Sequence, residues 1–201
     1  MMNARVDKDV VMDRFLQDHV LDKWEPDLIV IQNQLAERET EIIGSFKQSF
    51  AKLCARAAEQ QREGRKGPVQ YIYISMLRTS VMEDDPLYLL EAFDEQWLLD
   101  PVACTSTWRA DFAFSPLFRR MQELERVKVD YARAVTSMDL DRIKQIEVVK
   151  YHWMVLEFMR DQIPSLLLMD EYKEMLKNEG LKIMAGEYRD ESQLLYGAEG
   201  E

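Results

Sequence analysis

Apolar positions in this chain recur mostly at intervals of three, four and seven residues, the spacing that gathers side chains on one face of a helix. Leu28, Ile31, Leu35, Ile42, Phe46, Phe50, Leu53 and Ala57 form one such stripe and predict a long helix from about Asp27 to Glu63. Arg38 stands in the apolar slot between Leu35 and Ile42, so a local interruption or a polar contact is expected there. Ahead of this stripe, Val10, Val11, Phe15, Val20 and Leu21 predict a shorter helix that breaks at Trp24-Glu25-Pro26, because proline disfavours helix at the preceding residue and suits the first turn of the next. Gly64-Arg65-Lys66-Gly67-Pro68 is the clearest turn.

The middle of the chain is less regular. Val69, Ile72, Tyr73, Met76, Leu77 and Ser80 fit a helical face, although Val69 to Ile74 also has strand-like composition; helix is the expectation from Val69 to Met82. Leu87 to Leu99 reads as a short helix or as a small hairpin turning near Asp94-Glu95, and Pro101 to Thr107 as loop. Leu117, Met121, Leu124, Val127 and Tyr131 then predict a helix over 116–137. Another runs through Ile143, Ile146, Val149, Trp153, Leu156 and Met159 to a kink or break at Pro164, with Ser137 or Asp139 as its cap. A further helix is expected over Leu167 to Glu179, closed by Gly180 in the left-handed position past its end. Weak helical character remains over Ser192 to Tyr196, and residues 197–201 are expected to fray.

These elements predict an all-α fold, a single-domain bundle of six or seven helices spanning residues 1–201, with a hairpin or irregular insert near 87–99 as its one exception. Composition supports the helical expectation and removes many activities. The chain has 7 glycines, none of them between Gly67 and Gly180, so phosphate-cradling loops, dinucleotide turns and nucleophile elbows have no place to form there. The 47% hydrophobic and 31% charged content suits a folded domain. No apolar run is long enough to span a bilayer, and the start of the sequence lacks an apolar signal region. A soluble, cytoplasmic protein is the expectation. Cys54 and Cys104 are too few for a disulfide scaffold; Cys54 falls in a helical stripe, and Cys104 in a polar loop is the expected exposed thiol.

The net charge of −11 is concentrated in one stretch. Residues 83–111 hold eight carboxylates against the single Arg109, interleaved with aromatics. Tyr88, Phe93, Asp94, Trp97, Asp100 and Trp108 are the candidate ligand-binding residues, for a cationic small molecule or a basic peptide held by cation–π attraction and charge pairing. The competing explanation is structural: the aromatics plug the core and the acids solvate a loop. Nucleic acid is not an expected partner, since Arg65, Lys66 and Arg78 make a poor phosphate footprint, and neither is a membrane.

No cofactor and no metal are expected. Neither His19 nor His152 has a glutamate three residues before it, as a helical di-metal site requires, and His19 lacks the nearby glycines that let haem approach a helix. Ser75 sits outside any glycine-flanked turn. The leading expectation is a non-enzymatic interaction or regulatory protein that associates with itself or another protein through an apolar helix face. The alternatives are a small-molecule sensor using residues 83–118, and an enzyme with dispersed acid–base groups drawn from Asp94, Asp100, Tyr151 and His152.

Overall fold

A computed structural model describes residues 8–131 and 133–198. The fold is mixed α/β, with four substantial helices and a five-stranded mixed sheet that takes 19% of the chain. The expected all-α helical bundle is overturned by that sheet. Contacts within the chain gather it into two compact units. One comprises the chain up to Glu37 and Phe112–Tyr151; the other comprises Arg38–Asp111 and the chain from His152 onward.

The described part of the first unit is helical. It holds α1 (Lys8–His19), the beginning of α2 (Glu25–Arg62), α4 (Asp111–Val127) from Phe112, and the first half of α5 (Ser137–Leu166). Phe15, Ile31, Phe114, Leu117, Leu124 and Leu140 are buried, each side chain contributing about 1.5–3 kcal/mol by leaving water. Phe15 meets Tyr131 edge-on at 5.0 Å, and Phe114 meets Tyr151 at 6.1 Å. The start of α5 is fastened by Thr136 and Asp139, whose side chains each bond the other's backbone N–H, a reciprocal cap.

The division between the units falls at Arg38, where α2 departs from helical geometry (φ −122°, ψ 23°). The interruption expected at this residue is present, and the Arg38 guanidinium bonds Glu41.

The second unit contains the sheet. Its strands are β1 (Val69–Met76), β2 (Leu87–Phe93), β3 (Cys104–Arg109), β4 (Lys177–Glu187) and β5 (Ser192–Tyr196), in the order β3-β2-β1-β4-β5. Only the β1–β4 pairing is parallel. Two five-residue helices, α3 (Arg78–Met82) and α6 (Asp170–Glu174), lie in the connections. One sheet face carries Ile72, Ile74, Tyr88, Leu90, Trp108, Ile183 and Ala185, all buried. Phe46 of α2 and Phe158 of α5 lie against Trp108 at 4.7 and 5.7 Å, so helices cover this face.

Each helix misassigned from sequence has an identifiable reason. Val69 to Met76 is a strand because its alternate side chains meet two different environments, aliphatic toward the helices and aromatic toward the other face. With both sets apolar, the period of two is blurred. The strand alternative holds for 87–93, but β2 pairs with β1 and with Cys104–Arg109, whose residues up to Thr107 were read as loop. Ser106 and Thr107 make β3 look polar, yet Ser106 Oγ donates to the Ser49 carbonyl and Thr107 O accepts from Ser49 Oγ. Cys104 is consequently buried in the sheet. Gly180 lies within β4 rather than past a helix end, and residues 192–196 form β5. Pro164 is carried inside α5. Of the tail expected to fray, residues 199–201 fall outside the described set.

Candidate functional site

The sheet face opposite the helices is where chemistry collects. Pairing of β1 with β2 sets Tyr73 opposite Glu91 and Tyr71 opposite Phe93, and alternation sends these four side chains away from the covered face. After β2 the chain forms a short 3-10 turn, Trp97–Leu99, that stacks the Trp97 indole on Tyr73 at 27° between ring planes, with ring centres 6.3 Å apart. Trp97 also reaches Tyr71 at 6.1 Å, and Tyr73 meets Phe93 edge-on at the same distance. Trp97 has a φ of +54°, a left-handed conformation that costs a bulky residue on the order of 1–3 kcal/mol.

A cavity of about 400 Å³ opens over these rings. Its far wall is the β4–β5 hairpin. That hairpin closes because Gly186 has no side chain: a Cβ there would lie 2.1 Å from the Glu191 carbonyl oxygen. The turn holds Arg189, also left-handed at φ +59°, with its guanidinium 6.0 Å from the Phe93 ring centre and 5.1 Å from that of Tyr188. Glu187 accepts two hydrogen bonds from Arg78, one of them 2.7 Å long from Nε. Glu91 lines the cavity half-buried and has no ion-pair or hydrogen-bond partner among the described residues. Burial pushes its carboxyl above the usual range while the Arg189 charge pulls it down.

The six candidate residues divide by face and by loop. Phe93 and Trp97 line the cavity. Tyr88 and Trp108 point the other way, into the helix-covered core, as the packing explanation requires. Tyr88 Oη and His152 Nδ1 lie 2.8 Å apart with their rings stacked, and burial lowers His152 to about 4. Asp94 and Asp100 organise the loop. Asp94 accepts from the Gln96 N–H, and Asp100 accepts from the N–H groups of Asp94 and Val102 and from the ammonium of Lys66. Burial opposes ionisation of Asp100, yet those donors hold it below the ordinary carboxylate range.

The members of the dispersed acid–base set each have their own hydrogen-bond partners. His152 is engaged by Tyr88, Asp94 and Asp100 by the loop, and Tyr151, in the other unit, by Asp27 and Arg120. Among the described residues, no group of three or more His, Cys, Asp and Glu is disposed to hold a metal ion, and no helix is long and apolar enough to cross a membrane.

Sequence reading missed Tyr73 and Arg189, and counted Glu91 among the acids of 83–111 without singling it out. The signal for Tyr73 was present in the alternation Tyr71-Ile72-Tyr73-Ile74, but Arg189 is separated from Phe93 by almost half the chain. Comparison with protein-family models, curated proteins and solved structures gives no match.

Proposed function

We propose that this protein is a non-enzymatic binding module whose open sheet face receives an organic cation with an apolar body. The observation that carries this reading is Glu91, a half-buried carboxylate without a hydrogen bond among the described residues, beside the Tyr73–Trp97 stack. A half-buried carboxylate is disfavoured, the Arg189 charge offsets only part of that cost, and a cation lying over the rings would relieve the rest while gaining cation–π attraction of about 0.5–2 kcal/mol. The strained backbone at Trp97 fits a residue held in position for a ligand. Among the described residues no histidine or cysteine lines the cavity, which favours binding over catalysis. The buried free thiols of Cys54 and Cys104 support a reducing compartment such as the cytoplasm.

Titration with tetramethylammonium and with an alkylguanidinium, followed by tryptophan fluorescence, tests the reading. Saturable binding of either is expected, weakened about tenfold or more by Trp97→Ala and by Glu91→Gln, and declining as pH falls and Glu91 takes up a proton. Binding unchanged in both variants defeats the proposal.

A second reading is favoured by the consecutive exposed residues Trp97, Leu98 and Leu99, the last of them 83% exposed. Here the turn docks a protein partner or a second copy of the chain. Leu99 does not line the cavity. Leu99→Glu therefore abolishes concentration-dependent association in sedimentation if this reading is right, and leaves cation binding intact.

A further inference from the structure

The helical unit holds a separate polar cavity of about 360 Å³, formed by the end of α1, the start of α2 and one face of α4. At its base lies Arg120, nine-tenths buried. Arg120 Nη2 donates to Glu147 Oε2 at 2.8 Å and to the Tyr151 hydroxyl at 2.9 Å. Tyr151 in turn donates to Asp27, and Glu147 also accepts from Lys150. The charges in this interior set are balanced: two carboxylates, one guanidinium and one ammonium. One donor is left over. Arg120 Nη1 is buried without a hydrogen-bond partner among the described residues, and such a donor destabilises its surroundings until an acceptor reaches it.

The cavity lining carries charge of both signs, Lys23, Arg119 and Arg120 against Asp18, Asp27 and Glu123. Lys23 and Arg119 line the cavity without an ion-pair partner among the described residues, while Asp27 lies 3.9 Å from Arg120 Nε. Asp18 is already engaged by Arg14 at 3.5 Å and by the Tyr131 hydroxyl at 3.3 Å. His19 is occupied by the same hydroxyl through Nε2. Glu123, exposed and one turn beyond Arg119 on α4, is the remaining acid at the mouth and is free to swing toward solvent.

We infer that this cavity binds a small oxyanion, a carboxylate or a phosphate group, between Lys23 and Arg119, with the occluded Nη1 of Arg120 turning out from beneath the cavity floor to meet it. Guanidinium groups suit this task because their forked N–H geometry matches the oxygens of both anions. The chain's overall negative charge repels anions at long range, so recognition rests on these close contacts and is selective for ligands small enough to enter. The inference is independent of the cation site on the sheet.

Isothermal titration of the full chain with inorganic phosphate and, separately, with malonate, at constant ionic strength in chloride, tests it. Saturable binding of at least one probe is expected, and the stronger probe identifies the class: phosphate points to phosphorylated ligands, malonate to carboxylates. Lys23→Gln with Arg119→Gln should weaken binding at least tenfold, and Glu123→Gln should tighten it. These three residues lie outside the buried network, so the thermal melt serves as a check that the variants remain folded. Absence of saturation with both probes, or equal binding by the native chain and the double variant, overturns the inference.

Discussion

The two faces of the five-stranded sheet use the same residue types for opposite ends. On the covered face, Trp108 is 3% exposed, lies between Phe46 and Phe158, and donates its indole N–H to Ser45. On the open face, Trp97 is 45% exposed, stacks on Tyr73 alone at 27° between ring planes, and stands on a strained backbone. Tyr88 has its hydroxyl matched to His152, whereas Tyr73 has a carboxylate, Glu91, directly across the strand pair. A fully satisfied set of polar groups makes a core. A set holding a carboxylate without a hydrogen bond among the described residues is what the proposed cation site rests on.

The contrast can be broken most forcefully at Trp108. Trp108→Ala should lower unfolding free energy by about 3–5 kcal/mol, through lost burial and the void left behind, read as a fall in the denaturation midpoint. Acid comes next. His152 sits at about 4 in the folded chain against 6.5 when unfolded, with Arg78 nearby assisting burial and Glu187 opposing it. The unfolded chain therefore binds this proton first as pH falls. Stability that is complete above about pH 6.5 declines toward pH 4, by roughly 3 kcal/mol at most. Glu91, raised by burial, works in the opposite direction, so subtracting the profile of His152→Gln isolates the histidine. A flat difference between the two profiles contradicts the burial of His152.

Tyr88→Phe probes the same pair more gently. It leaves His152 Nδ1 unmatched in the core and should cost about 1–3 kcal/mol by chemical denaturation. The smallest effect belongs to the open face: Trp97→Ala should change stability by no more than about 1 kcal/mol. A loss as large as that of Trp108→Ala would show that both faces are structural and would remove the contrast.

The residues themselves explain what could be read in advance. The α2 stripe from Ile42 to Ala57 and the break at Arg38 were legible because a helix face repeats within a few residues. The sheet was harder. The run Lys182-Ile183-Met184-Ala185 alternates inward and outward positions, but its outward Met184 is as apolar as its inward neighbours, and β3 conceals its covered position Ser106 behind a hydroxyl bonded to a helix carbonyl. For the candidate cavity, composition marked the stretch of chain that supplies Phe93 and Trp97. It could not tell them from Tyr88 and Trp108, because the choice of face depends on strand register. Arg189 and Glu187 reach the cavity only through the parallel β1–β4 pairing, a contact between segments far apart in sequence.

That pairing also governs the order of assembly during translation. β4 occupies the position next to β1, yet the ribosome releases it roughly a hundred residues later, and such long-range partnerships form slowly. In the interval β1 offers a row of unmatched amide and carbonyl groups to any passing strand. A nascent chain arrested before Lys177 is thus expected to be a sticky, chaperone-dependent species, whereas the finished polypeptide seals that border with its own late segment.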